Sequence, residues 1–316
     1  MHRLVPAVTV IAVLTTPPVR GAEVEEVPAT PLRRSLGPHL YIPRDGVPDP
    51  FTATFVASSS GFATGSAKGP TFDLQGKPVN LEDYKILAYS QLFTGQWGLA
   101  DFWAWRLRVL GAAYSGTNTS GVAGVGVNGV VRGSAGTTLG FTLADNLRLG
   151  FRIDVSWGPS VAINILDAIR RSVAAGDVQV PVVSTYSTVV TPTLSLAWTI
   201  SRGVGGIFNV TYSNGVIDVN DTTNDADLVS FQAAFDVDLR ELGSIPLGLS
   251  VDYSAGYATQ AGRFRQYLLG LGFFYTGRPG LTLGLELGYH RSPLGTERTV
   301  FATSFSGLFV LRFAFN

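Results

Sequence analysis

Along most of this chain, apolar and polar residues take strict turns. Leu247, Leu249, Val251, Tyr253, Ala255 and Tyr257 interleave with Gly248, Ser250, Asp252, Ser254 and Gly256. Leu281, Leu283, Leu285, Leu287 and Tyr289 interleave in the same way with Thr282, Gly284, Glu286, Gly288 and His290. Side chains of a strand alternate between its two faces, so each segment carries one hydrocarbon face and one polar or glycine face. A soluble sandwich alternates too, but turns its apolar face inward. Here the alternation recurs over segments of about ten residues, the length a tilted strand needs to cross a bilayer. The pattern predicts an all-β fold, a closed antiparallel transmembrane β-barrel with hydrocarbon outside and polar residues lining the lumen.

Strands are expected near 51–58, 84–93, 101–114, 130–143, 147–157, 186–200, 204–213, 228–239, 245–257, 264–276, 281–291 and 303–315, about twelve in all. Tyr84 to Phe93 shows no clean register. Ala144-Asp145-Asn146, Ser201-Arg202-Gly203, 240–244 and Gly277-Arg278-Pro279-Gly280 have the residues tight turns require. Longer links at 115–129, 158–185, 214–227 and 292–302 alternate with them. That is the expected asymmetry between periplasmic turns and external loops, and an even strand number puts both termini on the periplasmic side. Aromatic residues form two sets: Trp97, Trp103, Trp105, Trp198 and Tyr275 near the turns, and Trp157, Tyr212, Tyr253, Tyr257, Tyr267 and Tyr289 near the loops. Amphipathic rings favour the two headgroup layers. One segment breaks the period of two. Val161, Ile165, Leu166, Ile169 and Val173 recur at helical spacing, which predicts a short helix over 161–174 in the longest outer loop.

Composition narrows the class further. Hydrophobic residues make up 46% and charged ones 15%, yet beyond residue 20 no apolar run is long enough for a membrane-crossing helix. The 37 glycines suit a crowded barrel interior. Residues 1–22 read as a signal peptide: Arg3 supplies charge, Leu4 to Leu14 the apolar core, and Pro17 and Pro18 end it. Residues 23–50 contain Pro28, Pro31, Pro38, Pro43, Pro48 and Pro50, which precludes helix. They read as a periplasmic linker or a lumen-lining tail, and as a candidate contact for a periplasmic partner. The barrel is expected over 51–316. The absence of cysteine rules out a lipid anchor on cysteine, disulfides and thiolate chemistry. Balanced charge, 23 basic against 23 acidic residues, gives no sign of a nucleic-acid surface.

The chain ends with Phe309, Leu311, Phe313 and Phe315 on one face. This resembles the C-terminal sorting signal of bacterial outer-membrane proteins, read by the barrel-assembly machinery, although Asn316 follows the last aromatic residue. The architecture is similar to that of twelve-stranded nucleoside and sugar channels, an outer-membrane phospholipase, and transporter-like barrels of aromatic-degradation clusters. The resemblance implies a Gram-negative outer membrane with contacts to lipid and lipopolysaccharide.

Turning each polar face inward produces a lumen with opposed charges. Arg106, Arg108, Arg132, Arg148, Arg152 and Asp154 lie on one arc; Asp236, Asp238, Asp252, Glu286 and His290 lie on the other, with Arg312 on the last strand. In a conducting pore such a field orients polar solutes, with Arg106, Arg108, Arg132 and Arg152 meeting anionic groups and Asp236, Asp252 and Glu286 cationic ones. The expectation is a passive channel for small polar solutes. The competing readings are a non-conducting structural barrel of an envelope-spanning assembly and, behind both, a phospholipase-like hydrolase. The last rests on His290 and Ser292, whose spacing resembles the phospholipase motif. That enzyme keeps its pair on the lipid-facing wall, whereas His290 shares the lumen face with Glu286 and reads as its hydrogen-bond partner. No enzyme and no cofactor are expected. The glycine motif Gly124, Gly126, Gly129 precedes a strand pattern, so it is not a dinucleotide loop. Asp218, Asn220, Asp221, Asn224, Asp225 and Asp227 crowd one outer loop; they offer a weak calcium site, with a hydrated turn the better reading.

Overall fold

The computed structural model describes residues 34–72, 78–118, 124–164, 182–219, 222–258, 264–278, 280–293 and 301–315. Two short strands come first, β1 (Ser35–Leu36) and β2 (His39–Leu40). Twelve long ones follow: β3 (Thr54–Phe72), β4 (Pro78–Ala100), β5 (Trp103–Asn118), β6 (Gly124–Ala144), β7 (Leu147–Asn164), β8 (Val182–Ser201), β9 (Val204–Val219), β10 (Thr222–Asp238), β11 (Leu247–Ala258), β12 (Phe264–Tyr275), β13 (Leu281–Pro293) and β14 (Phe301–Phe315). Each pairs antiparallel with its sequence neighbours, and β14 closes on β3 with Phe315 opposite Thr54. Closure leaves no open sheet edge among the twelve, the one arrangement of strands that satisfies every backbone amide in hydrocarbon. Both ends of the barrel chain therefore lie at the short-turn rim.

The outer wall carries the apolar half of the alternation. Leu271, Phe273, Leu285, Leu287, Phe309 and Phe313 are exposed, and their sequence neighbours Gly272, Phe274, Gly284, Glu286, Val310 and Arg312 are buried. Trp97, Trp103, Trp105 and Tyr275 ring the short-turn end, with the Trp103 Nε1–H donating to Thr137 Oγ1 at 2.8 Å. Trp157, Tyr212, Tyr253 and Tyr257 form the second ring of exposed aromatics.

Sequence and structure part company above that second ring. Strands β6 to β10 run well past it, and β9 and β10 stay paired up to Val219 opposite Thr222, whereas β11 ends at Ala258. Links expected at 115–129, 158–185, 214–227 and 292–302 shrink accordingly. Beyond the hydrocarbon, a wall strand no longer needs an apolar outer face, so the alternation fades while the ladder continues. For the same reason Asp218 and Asp225 belong to β9 and β10 rather than to an open loop, and Asn220 and Asp221 lie outside the described residues. Asp227 accepts from Asn214 Nδ2 (2.6 Å) and the Tyr212 hydroxyl (3.0 Å). The helix expected over 161–174 is overturned at its start, because Val161 to Asn164 continue β7 in register with β6 and β8. The rest of that segment lies outside the described residues.

Among the described residues the helix is α1 (Leu239–Gly243), in the β10–β11 turn. Asp238 caps it, accepting from Arg240 N–H at 3.1 Å, and Ser244 ends it in the left-handed region at φ 61°. The unclear register of Tyr84 to Phe93 also has a cause. Gln91 lies on the outer face of β4 and takes hydrogen bonds with Ser58, Ser60 and Tyr89, so a self-satisfied polar patch interrupts the hydrocarbon wall.

Leu287 lies mid-strand on the lipid face of β13. Leu287→Arg is expected to lower barrel stability in lipid vesicles by about 2–4 kcal/mol, read from urea unfolding followed by heat-modifiable migration. A loss near zero would place this wall elsewhere than in hydrocarbon.

Candidate functional site: a lumen strapped at one end

The segment read as linker or lumen-lining tail enters the barrel. Residues 34–53 form a strap inside the short-turn half of the lumen, opening with the β1–β2 hairpin. Gly37 adopts φ 56° there, beside the Asp145 carbonyl, and Pro38 follows it. Beyond β2 the prolines hold the chain extended and ladder-free. Leu36, Tyr41, Val47 and Phe51 pack on an apolar patch of inner wall made by Ala197, Ile207 and Ala234. Phe51 is fully buried, 4.8 Å from the Tyr41 ring and flanked by the guanidinium groups of Arg34 and Arg148. Burial holds the Tyr41 phenol well above its ordinary pKa, and its hydroxyl lies 3.4 Å from Thr199 Oγ1. Inward glycines make room. A side chain at Gly140 or Gly150 would strike Pro50, one at Gly205 would strike His39, and one at Gly248 would strike Ile42.

Charge fixes the strap on both arcs of the wall. On the acidic side, Asp236 accepts from His39 Nε2 (3.1 Å) and the Ile42 amide (2.8 Å), and Arg44 pairs with Asp252 and, at 3.8 Å, with Glu286. Glu286 also accepts from the Asp45 amide at 3.3 Å. On the basic side, Arg312 lies 3.4 Å from Asp45, Arg152 donates to the Asp49 carbonyl (3.0 Å), and Arg148 donates to the Pro50 carbonyl (3.0 Å). Asp45 also bonds Ser59. Gln96 donates to the carbonyls of Phe51 (3.0 Å) and Ala53 (2.9 Å), and Asn209 donates to that of Pro48 (2.9 Å). With Thr199 holding the Leu36 carbonyl at 2.7 Å, the strap is tied to nine of the twelve strands. Within it, Arg34 clasps Asp49 at 2.8 Å. Burial pushes the Asp49 carboxyl up, but Arg34, then Arg152 and Arg312, with the Phe51 amide, pull it down further, leaving it below the usual carboxylate range.

All the charged residues singled out as lumen-facing occupy inward positions, but the structure gives them different tasks. Arg106 pairs with Asp154 at 2.5 Å across β6, a contact that Gly136 permits because any side chain there would meet the Asp154 carboxylate. Arg132 donates to Ser187 (3.3 Å) higher in the lumen. Asp238 serves the fold: it caps α1 and accepts from Thr276 Oγ1 at 2.9 Å. The expected bond between His290 and Glu286 does not form. Four residues along a strand span about 13 Å, and Glu286 is taken by the strap. His290 and Ser292 both occupy lumen positions of β13. The strap residues His39, Arg44, Asp45 and Asp49 escaped the sequence reading. Their signal was a proline-rich segment carrying Leu36, Tyr41, Ile42, Val47 and Phe51, more apolar and aromatic than a tether requires.

No family model and no curated protein sequence matches the chain. Solved structures share the architecture at low identity. The translocator domain of autotransporter NalP from Neisseria meningitidis aligns with TM-score 0.53 and 9% identity, over 86% of this chain and 90% of that one. The β domain of the Bordetella autotransporter BrkA gives 0.52 and 10%, over 83% and 100%. The Pseudomonas putida toluene transporter TodX gives 0.41 and 11%, over 85% and 90%. The fold is that of outer-membrane β-barrels.

Asp49→Asn removes one partner of a buried ion pair, a change that typically costs about 3–5 kcal/mol. Trypsin is expected to cut after Arg34 and Arg44 much faster in this variant than in the parent. The pH sign follows from the lowered pKa. The Asp49 contribution is complete above the ordinary carboxylate value of about 3.9 and is lost as pH falls through its lower, docked-state value. A dye on Gly46→Cys, at an open position in a chain otherwise free of cysteine, should report a parent-to-Asp49→Asn difference that is flat above pH 5. The difference should fade in stronger acid; a difference that grew on acidification would contradict the assignment.

Proposed function

We propose that this chain is a passive channel of the bacterial outer membrane for small polar solutes, closed in the resting state by its own residues 34–53. The barrel stands with its short turns and both termini in the periplasm and its long links outside, among lipopolysaccharide, and its C-terminal strand is the element the assembly machinery reads. One observation carries the reading. The strap is held by side chains and carbonyl caps, and its backbone pairs with no barrel strand. It can leave without unzipping the wall, so closure is separable from the fold. The loop-side half of the lumen supports it further, being lined by polar groups such as Asn128, Ser160, Arg132, Ser187, Thr191 and Ser213. Steering by opposed charge and partial replacement of hydration are the only chemistry required, with no covalent step.

A second reading draws on the same strap. Anchorage to nine strands favours a sealed barrel that serves as the membrane element of a larger assembly, with the chain before residue 34 as its periplasmic contact. Planar-bilayer recordings separate the two. A channel shows rare small steps as the intact chain, steps enlarged several-fold after deletion of 34–53, and steps suppressed when Val47→Cys and Ala234→Cys are joined by oxidation. A sealed barrel stays silent as the intact chain, with or without the Val47→Cys and Ala234→Cys crosslink.

In the strap-deleted form, Arg108→Glu should move the reversal potential toward cation selectivity. An unchanged reversal potential would remove the arginine arc from the conduction path.

A further inference from the structure

The strap does not neutralise the two arcs equally. Its Arg44 and His39 satisfy Asp252, Glu286 and Asp236, so the acidic arc is spent. The basic arc is not. Where the strap meets β4, β5, β7 and β14, a small cavity is lined by Arg44, Arg106, Arg108, Arg152 and Arg312, against only Asp45 and Asp49. The carboxylates near it are already engaged: Asp49 by Arg34, Asp154 by Arg106, Asp252 by Arg44. Arg152 donates to Thr138 Oγ1 and the Asp49 carbonyl, and among the described residues no carboxylate lies within ion-pairing distance of it or of Arg108. Buried donors point the same way. Arg106 Nε and Arg312 Nε and Nη1 have no hydrogen-bond partner, although both side chains are at least nine-tenths buried. Arg106 and Arg312 already face Asp154 and Asp45, so the guanidinium groups left without counter-charge are those of Arg108 and Arg152; such burial is costly, and planar donor forks match oxyanions.

We infer that this cavity is a binding site for one oxyanion, a carboxylate or phosphate group, held by Arg106, Arg108, Arg152 and Arg312 at the junction of strap and wall. Through the proposed channel it names the solute class as anionic, and in that respect the inference rests on the channel reading. The site itself exists in the strapped barrel and requires no conduction. Arg108 is the residue to test, because no hydrogen bond of the strap or wall depends on it among those described, whereas Arg106 and Arg152 also brace their neighbours.

Sodium phosphate and, separately, sodium acetate are titrated calorimetrically into the full chain in zwitterionic nanodiscs at low chloride. One saturable site is expected for at least one of the two. Binding should weaken at least tenfold in Arg108→Gln, recover in part in Arg108→Lys, and stay unchanged in Arg132→Gln, whose side chain lies outside the cavity. Absence of saturation with both anions, or equal affinity in Arg108→Gln, overturns the site. Should Arg108→Gln fail to insert, crystals of the unaltered chain grown with selenate decide: an anomalous peak among the four arginines supports the site, and none there overturns it. Bilayer recordings on the same preparation keep the two ideas apart. Phosphate binding by a silent barrel retains the site and removes the channel, and conduction without binding does the reverse.

Discussion

A strand in hydrocarbon has nowhere to place an unpaired amide except against another strand. That constraint closes the sheet, and the rest of this molecule follows from closure. Once β14 meets β3 the wall has an inside, and twelve strands make that inside too wide to be filled by wall side chains alone and narrow enough to be crossed by one extended segment. The interior must therefore be hydrated or occupied. Here it is occupied at one end, by residues that precede the first barrel strand and reach the lumen simply by turning back at the short-turn rim.

What holds the strap is complementarity in two forms. Its apolar side chains find the small patch of Ala197, Ile207 and Ala234 in an otherwise polar interior, and inward glycines on β6, β7, β9 and β11 let its backbone lie close to the wall. Its charges alternate in the sense needed to meet an acidic arc on one side and a basic arc on the other. Each ion pair is buried, so each contributes more through the penalty for breaking it than through any gain over water. Such a lock is selective in position, and no β-ladder joins it to the barrel.

The same reasoning explains why the arginine arc stands out. The strap answers the acidic side with Arg44 and His39 but brings too little negative charge to the basic side, where Asp49 is already taken by Arg34. An interior with an excess of guanidinium groups is a poor place for a cation and a prepared one for an anion. This asymmetry arises only when wall and strap are considered together, since the wall charges alone look evenly opposed.

Alternation of the kind seen in Leu281 to Tyr289 and Leu247 to Tyr257, repeated over some twelve segments, was enough to determine the barrel, its approximate strand number and, outside Tyr84 to Phe93, the face each wall residue shows. The reason is local: a period of two, a lipid exterior and the tight turns between leave one solution. Where the exterior ceased to be hydrocarbon, above the second aromatic ring, the signal ended while hydrogen bonding did not, so the sequence pattern does not mark the strand ends or the strand membership of Asp218 and Asp225. The inward direction of Arg106, Arg152, Asp252 and Glu286 was legible by the same parity. Their partners were not. Pairing Arg44 with Asp252, or Asp45 with Arg312, joins residues more than two hundred positions apart, and nothing periodic in either segment encodes the other. Only the closed barrel, by fixing which wall positions face the returning strap, decided where the strap would sit in the lumen and where the uncompensated charge would lie.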